Sequence, residues 1–132
     1  HRLHLEQGVS IVEGVQENNR ALPLIPQTNF NTSLKYEFEK KHHKLQVETI
    51  TLQRSHFLEK TDVSSFETAS EAYSIYNIDL KFNLNNKSKT PISLGVKNLF
   101  NKSYINHLSN LKNLGLSGAG RNFYFSINYI IN

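Results

Sequence analysis

The stretch YSIYNIDLKFNLN, Tyr73 to Asn85, alternates without a break from Tyr76 onward. Tyr76, Ile78, Leu80, Phe82 and Leu84 share one parity; Asn77, Asp79, Lys81, Asn83 and Asn85 share the other. Successive strand side chains point to opposite faces, so this pattern predicts a β-strand with one apolar and one polar side. A helix would scatter both classes around its axis.

The same period appears elsewhere. In TNFNTSLKYEFEK, Phe30, Leu34, Tyr36 and Phe38 fall in one phase with Thr32, opposite Asn29, Asn31, Ser33, Lys35, Glu37 and Glu39. In ISLGVKNLF, Ile92, Leu94, Val96 and Phe100 alternate with Ser93, Gly95 and Lys97. In NFYFSINYII, Phe123, Phe125, Ile127, Tyr129 and Ile131 alternate with Asn122, Tyr124, Ser126 and Asn128. Two weaker runs are Leu3 to Glu13, with Leu3, Leu5, Val9 and Ile11 in phase, and Lys44 to Phe57, with Leu45 and Val47 in phase. The chain is thus all-β, with six strands in 132 residues.

Several of these runs reach about ten residues, against a usual strand of about five or six. Roughly nine to eleven is what a tilted strand needs to cross a bilayer. The connections alternate too. Short KKHH and NNKSKT separate long segments at Gly14–Gln27, Leu58–Ala72 and Asn101–Gly120. Short turns on one side and long loops on the other are the habit of outer-membrane barrels. Tyr36, Phe38, Phe82, Phe100, Phe123 and Phe125 lie near strand ends, where interface girdles sit. A soluble small-ligand barrel carrier is the alternative, with the same apolar face turned inward. Six long strands do not close a bacterial single-chain barrel, which has an even number and at least eight. The chain is therefore expected to be an antiparallel up-and-down segment of a larger transmembrane barrel.

Composition limits the other classes. There is no Cys, which removes disulfides and thiolate metal sites. Net charge is +4, but the basic residues are scattered; the one tight group, Lys40, Lys41, His42, His43 and Lys44, reads as a solvated turn. Nucleic acid is not an expected partner. No apolar run reaches the length of a transmembrane helix. The chain lacks Met, and HRLHLEQGVS has no apolar signal core, so a start inside a longer protein is expected.

Ser103 to Leu114 reads as a short helix in the last long loop, from the spacing of Ile105, Leu108, Leu111 and Leu114. Asn101 or Ser103 would cap it, and Gly115 suits the left-handed position after it. Pro23 and Pro26 stop regular pairing before the second strand.

SLGVKNLFNKSY, then HLSNLKNLG and GRNFYFSINY, resembles the C-terminal end of TonB-dependent outer-membrane receptors. LPLIPQTNFNTSLKYEF and FETASEAYSIYNIDLKF resemble stretches slightly earlier in that family. The likeness runs in order from about Ala21 to Ile131. It implies a 22-stranded barrel with an N-terminal plug, of which residues 1–132 are the C-terminal part. It implies energy-coupled uptake of a metal chelate, iron–siderophore by default, or another scarce nutrient. It implies outer-membrane lipid, the inner-membrane TonB complex acting through an absent N-terminal part, and the barrel-insertion machinery as partners. It also implies a periplasmic C-terminus. Two departures stand out: GAGRNF lacks the family's Pro before Gly-Arg, and the chain ends on Asn132 rather than an aromatic residue. The parity of the last strand predicts one further outward residue, Phe, directly after Asn132.

No catalytic constellation or cofactor site is legible, and no metal-ligand spacing beyond the adjacent pair His42–His43 on an expected turn. A hydrolytic outer-membrane enzyme would need Ser, His and an acid gathered at the mouth, and the sequence gathers none. His56, Asn106, His107 and Arg121 are the candidates for ligand contact or loop anchoring on the extracellular side. Asn106 and Asn110 would share one side of the loop helix, and Arg121 would anchor the last loop to neighbouring carboxylates.

Overall fold

A computed structural model describes residues 1–18, 20–38, 46–83 and 91–128. Six strands form: β1 (Arg2–Ser10), β2 (Asn29–Glu37), β3 (Gln46–Phe57), β4 (Tyr73–Asn83), β5 (Pro91–Lys97) and β6 (Asn122–Ile127). They lie in one antiparallel sheet in sequence order, β1 to β6. This is the expected up-and-down architecture. Up-and-down order puts the three long connections at one end of the sheet. The basic group Lys40–Lys44 with Glu39 and Leu45, the NNKSKT turn with Leu84 and Asn85, and Tyr129, Ile131 and Asn132 lie outside the described residues.

Register carries the alternation from strand to strand. One row on the apolar face reads Leu5, Leu34, Leu52, Ile78, Val96, Phe123; the next reads Leu3, Tyr36, Ile50, Leu80, Leu94, Phe125. Both rows cross all six strands. The opposite face carries His4, Lys35, Thr51, Asp79 and Gly95 in one row. There Lys35 pairs with Glu37 at 2.6 Å, His4 lies 3.4 Å from Glu37, and Lys97 lies 4.0 Å from Asp79. A one-residue slip anywhere would exchange the faces, so the pattern itself fixes the register.

The weak alternation of the third strand has a local cause. Val47 pairs with Phe82, but Thr49 pairs with the next residue, Lys81. Glu48 is the extra residue of a bulge. Val47 and Ile50 thereby share the apolar face although their spacing is odd.

Two strand limits differ from the sequence reading. β1 ends at Ser10 rather than Glu13. β6 is described as Asn122–Ile127, and the rest of its expected run, from Tyr129 on, lies outside the described residues. β5 stops at Lys97, so Phe100 lies beyond the strand, not at its end. Asn98 and Asn101 take left-handed backbone, φ 51° and 52°, a region Asn enters more readily than most residues. Phe100 still meets the apolar face, edge-on to Tyr76 at 5.1 Å. Tyr36 and Phe38 pack edge-on at 4.8 Å at the other end of β2.

The sheet has a single layer. Leu3, Leu5, Phe123 and Phe125 are 60–71% exposed, and no described apolar residue is fully buried. No other described element covers the apolar face. An amphipathic sheet normally buries that face against a second layer; this one presents it outward across six strands.

Candidate functional site

The three long loops are tied into one cluster at the end of the sheet. The first and second loops join through backbone and side chain. Leu58 N–H donates to Thr28 O (2.9 Å), and the buried Gln27 amide donates to Leu58 O (2.7 Å) and Glu71 O (3.1 Å). Glu67 is the second tie. Its Oε1 accepts the Leu24 N–H (2.9 Å), and its Oε2 accepts the Ser64 N–H (3.1 Å) and hydroxyl (2.7 Å). These donors, the Ser64 hydroxyl first, hold the Glu67 carboxyl below the usual range against the opposing effect of burial.

The third loop enters through His107, whose side chain is 1% exposed. His107 Nδ1 lies 2.9 Å from Ser70 Oγ and 3.0 Å from the Lys112 ammonium. Lys112 Nζ also donates to Ser70 Oγ (2.6 Å) and to Thr68 O. An ammonium has no lone pair, so Nδ1 must be the acceptor and the ring proton sits on Nε2. Nε2 faces Glu67 Oε1 at 3.7 Å, too far for a hydrogen bond, and has no partner among the described residues. Burial, and then the Lys112 charge, push the His107 imidazole below its ordinary value; Lys60 acts the same way and Glu67 opposes. Burial likewise lowers the Lys112 ammonium.

Aromatic stacking continues the cluster into the sheet. Tyr73 stacks on Phe57 at 4.6 Å and under Tyr104 at 4.8 Å, on the polar face. Asn98 closes the base of the third loop. Its amide donates to Lys102 O (2.9 Å) and Ala119 O (3.1 Å), and its oxygen accepts the Lys102 N–H (2.8 Å). Between the second and third loops lies a cavity of about 390 Å³, lined by Ser70, Glu71, Tyr73, Lys102, Tyr104 and Lys112 among others.

The expected helix over Ser103–Leu114 does not form; only a 3-10 turn at Lys112–Leu114 does. Side chains compete for the backbone here. Asn106 Oδ1 takes the Leu108 N–H (2.9 Å) and Ser109 Oγ takes the Leu111 N–H (3.2 Å), which holds turns instead of a helix. Leu108, Leu111 and Leu114 are exposed, and His107 is the buried residue. The proposed caps serve elsewhere: Asn101 Oδ1 receives the Arg121 N–H, and Ser103 bonds Ser117. Gly115 does take the left-handed position, φ 67°.

The four sequence candidates do not converge. His107 sits at the centre of the cluster. Asn106 is exposed and bonded to its own turn. Arg121 holds the loop by its backbone, and its side chain makes no ion pair with a carboxylate among the described residues. His56 pairs with Phe30 and Ser74 on the apolar face and bonds Ser74 Oγ at 2.8 Å, away from the cluster. Glu67, Ser70, Asn98 and Lys112 escaped the sequence reading because isolated polar loop residues carry no period.

Contrary to the sequence reading, Ser70, His107 and Glu67 are gathered. They do not form an activated nucleophile. Lys112 already donates to both Ser70 Oγ and His107 Nδ1, so the imidazole has no free lone pair for the serine proton. Ser70 and His107 are also buried, at 6% exposed each. The grouping is a clasp between loops.

The sequence matches no family model and no curated protein. Its fold is matched by a solved structure titled copper transporter OprC, with a TM-score of 0.80 and 17% identity. The match covers 96% of this chain but 21% of that one, so the chain spans about a fifth of the transporter's length. At that identity, the sheet and its loops are similar in fold to a segment of a much longer chain, and the likeness is one of fold alone.

Proposed function

We propose that residues 1–132 are the C-terminal part of the barrel of a TonB-dependent outer-membrane receptor, which takes up a scarce metal complex or similar nutrient. The single observation that carries this reading is the uncovered apolar face, continuous across six strands and backed by a polar face. Hydrocarbon is the one surrounding in which such a face is at rest without a second protein layer. The polar face then lines the barrel interior, the three clasped loops lie outside the cell, and the C-terminus lies in the periplasm. The open edges at β1 and β6 pair with strands of the rest of the barrel, because unpaired backbone groups in lipid cost several kcal/mol each.

In this reading the plug, the TonB-contact segment and most of the ligand site belong to other parts of the protein. Iron–siderophore is the first substrate to test. Copper complexes come second, because the structure with the similar fold is titled a copper transporter. The barrel-insertion machinery would meet the last strand.

The test is fractionation of cells expressing the whole open reading frame. The protein is expected in the outer-membrane fraction, requiring detergent. A monomeric, detergent-free soluble protein rejects the reading and favours the soluble carrier. Growth of a deletion strain on single iron or copper sources then identifies the cargo.

A further inference from the structure

The clasp at His107 has a property that loop packing alone does not require. Its Nδ1 is held as an acceptor by a group that can only donate, the Lys112 ammonium at 3.0 Å. A second proton on the ring has one place to go, which is Nδ1. Protonation therefore removes the acceptor and sets two cations within contact of each other. Ser70 can rotate to accept from the new N–H, but Lys112 cannot adapt. Glu67, 3.7 Å from Nε2, is the one carboxylate facing the ring among the described residues, and three other donors already occupy it. Lys60, also on the second loop, adds a positive charge; among the described residues the first loop contributes the neutral Leu24 N–H to this group. Lys112 and Ser70 both line the cavity between the second and third loops.

We propose that His107 is a proton-operated clasp: a proton arriving on Nδ1 drives the Lys112 ammonium out from between the second and third loops and widens the cavity between them. At neutral pH the clasp is shut and Lys112 forms part of the cavity wall. In acid the wall parts on the side that Lys112 closes. The receptor reading enters only in setting this cavity on the outside of the cell, where ligand arrives; the clasp itself rests on five side chains of this chain.

The experiment is hydrogen exchange on the full-length protein in outer-membrane vesicles at about pH 7.5 and about pH 5, corrected for intrinsic rates. Peptides covering 58–72 and 101–120 are expected to lose protection by about tenfold on acidification, while β3 and β4 peptides keep theirs. His107→Gln retains an acceptor for Lys112 but does not titrate, so its loops should stay protected at both pH values. Lys112→Gln removes the like-charge clash, and its loops should also lose the pH response. Equal wild-type protection at both values overturns the proposal, as does a pH response that survives either substitution. If the His107 variant does not fold, the Lys112 variant decides alone. Failure of the receptor reading shows separately, as strand peptides recovered from a soluble fraction, and leaves the loop measurement intact.

Discussion

Leu80→Arg is the sharpest test of which way the sheet faces. Leu80 lies near the middle of the apolar face, paired with Ile50 on β3 and Leu94 on β5, with Ile78 and Phe82 two residues to either side. If the face meets lipid, an arginine there sits near the bilayer midplane and costs about 2–4 kcal/mol. At 1.36 kcal/mol per decade, that lowers the folded-to-unfolded ratio by roughly 30- to 900-fold. If the face meets water, the same change on an exposed surface costs within about 0.5 kcal/mol. Asn77→Arg is the matched control. It lies three residues away on the same strand, on the polar face opposite Gln53; its side-chain oxygen accepts the Asn98 N–H at 3.0 Å, and losing that bond should cost about 0.5–1.5 kcal/mol, less than the lipid-facing arginine. The assay is the folded fraction of the full-length protein in phospholipid vesicles, read by the heat-dependent shift on gels across a urea series. Arginine scanning from Tyr76 to Phe82 should give sensitivity with period two. Equal tolerance at Leu80 and Asn77 would refute the lipid assignment, and greater damage at Asn77 would reverse the two faces.

Further outcomes follow from particular contacts. The Tyr124 ring lies across Gly95, where an added Cβ would come within 2.3 Å of it, so Gly95→Val should destabilise by about 1–3 kcal/mol; adding Tyr124→Ala should recover most of that in the same urea series. Asn98→Gly keeps the left-handed backbone but removes three hydrogen bonds, so it should loosen the third loop at a cost of about 1–3 kcal/mol, read as raised exchange at Lys102 and Ala119. The folded His107 imidazole is held below its unfolded value, so its contribution to stability is complete above about pH 6.5 and fades as pH falls from there toward its folded value. Glu67 is also lowered, so its contribution persists until pH falls below about 4.5 and fades toward its own folded value. Loop exchange followed against pH should therefore rise in two stages, and His107→Gln should leave only the lower one.

The alternation from Tyr76 to Asn85 alone placed β4, and the same period placed the other five strands. Period two survives in sequence because every strand meets the same two environments. The bulge at Glu48 shows where that logic weakens: one inserted residue shifts the phase, so the third strand read as faint although its apolar residues share a face. The last loop shows where it fails. Ile105, Leu108, Leu111 and Leu114 have helical spacing, yet the side chains of Asn106 and Ser109 capture the backbone donors a helix would use. The leucines stay exposed, and His107 goes inside.

The sequence by itself determined the strand count, the two faces and the side on which the long loops lie, because these depend on local parity and spacing. Tertiary structure alone decided the clasp. Glu67, Ser70, His107 and Lys112 lie up to 45 positions apart, and each is an ordinary loop residue until pairing of β3 with β4 and of β4 with β5 brings the second and third loops together. Which nitrogen of His107 holds its proton is set by an ammonium that reaches it across that fold, and no pattern in the chain encodes the distance.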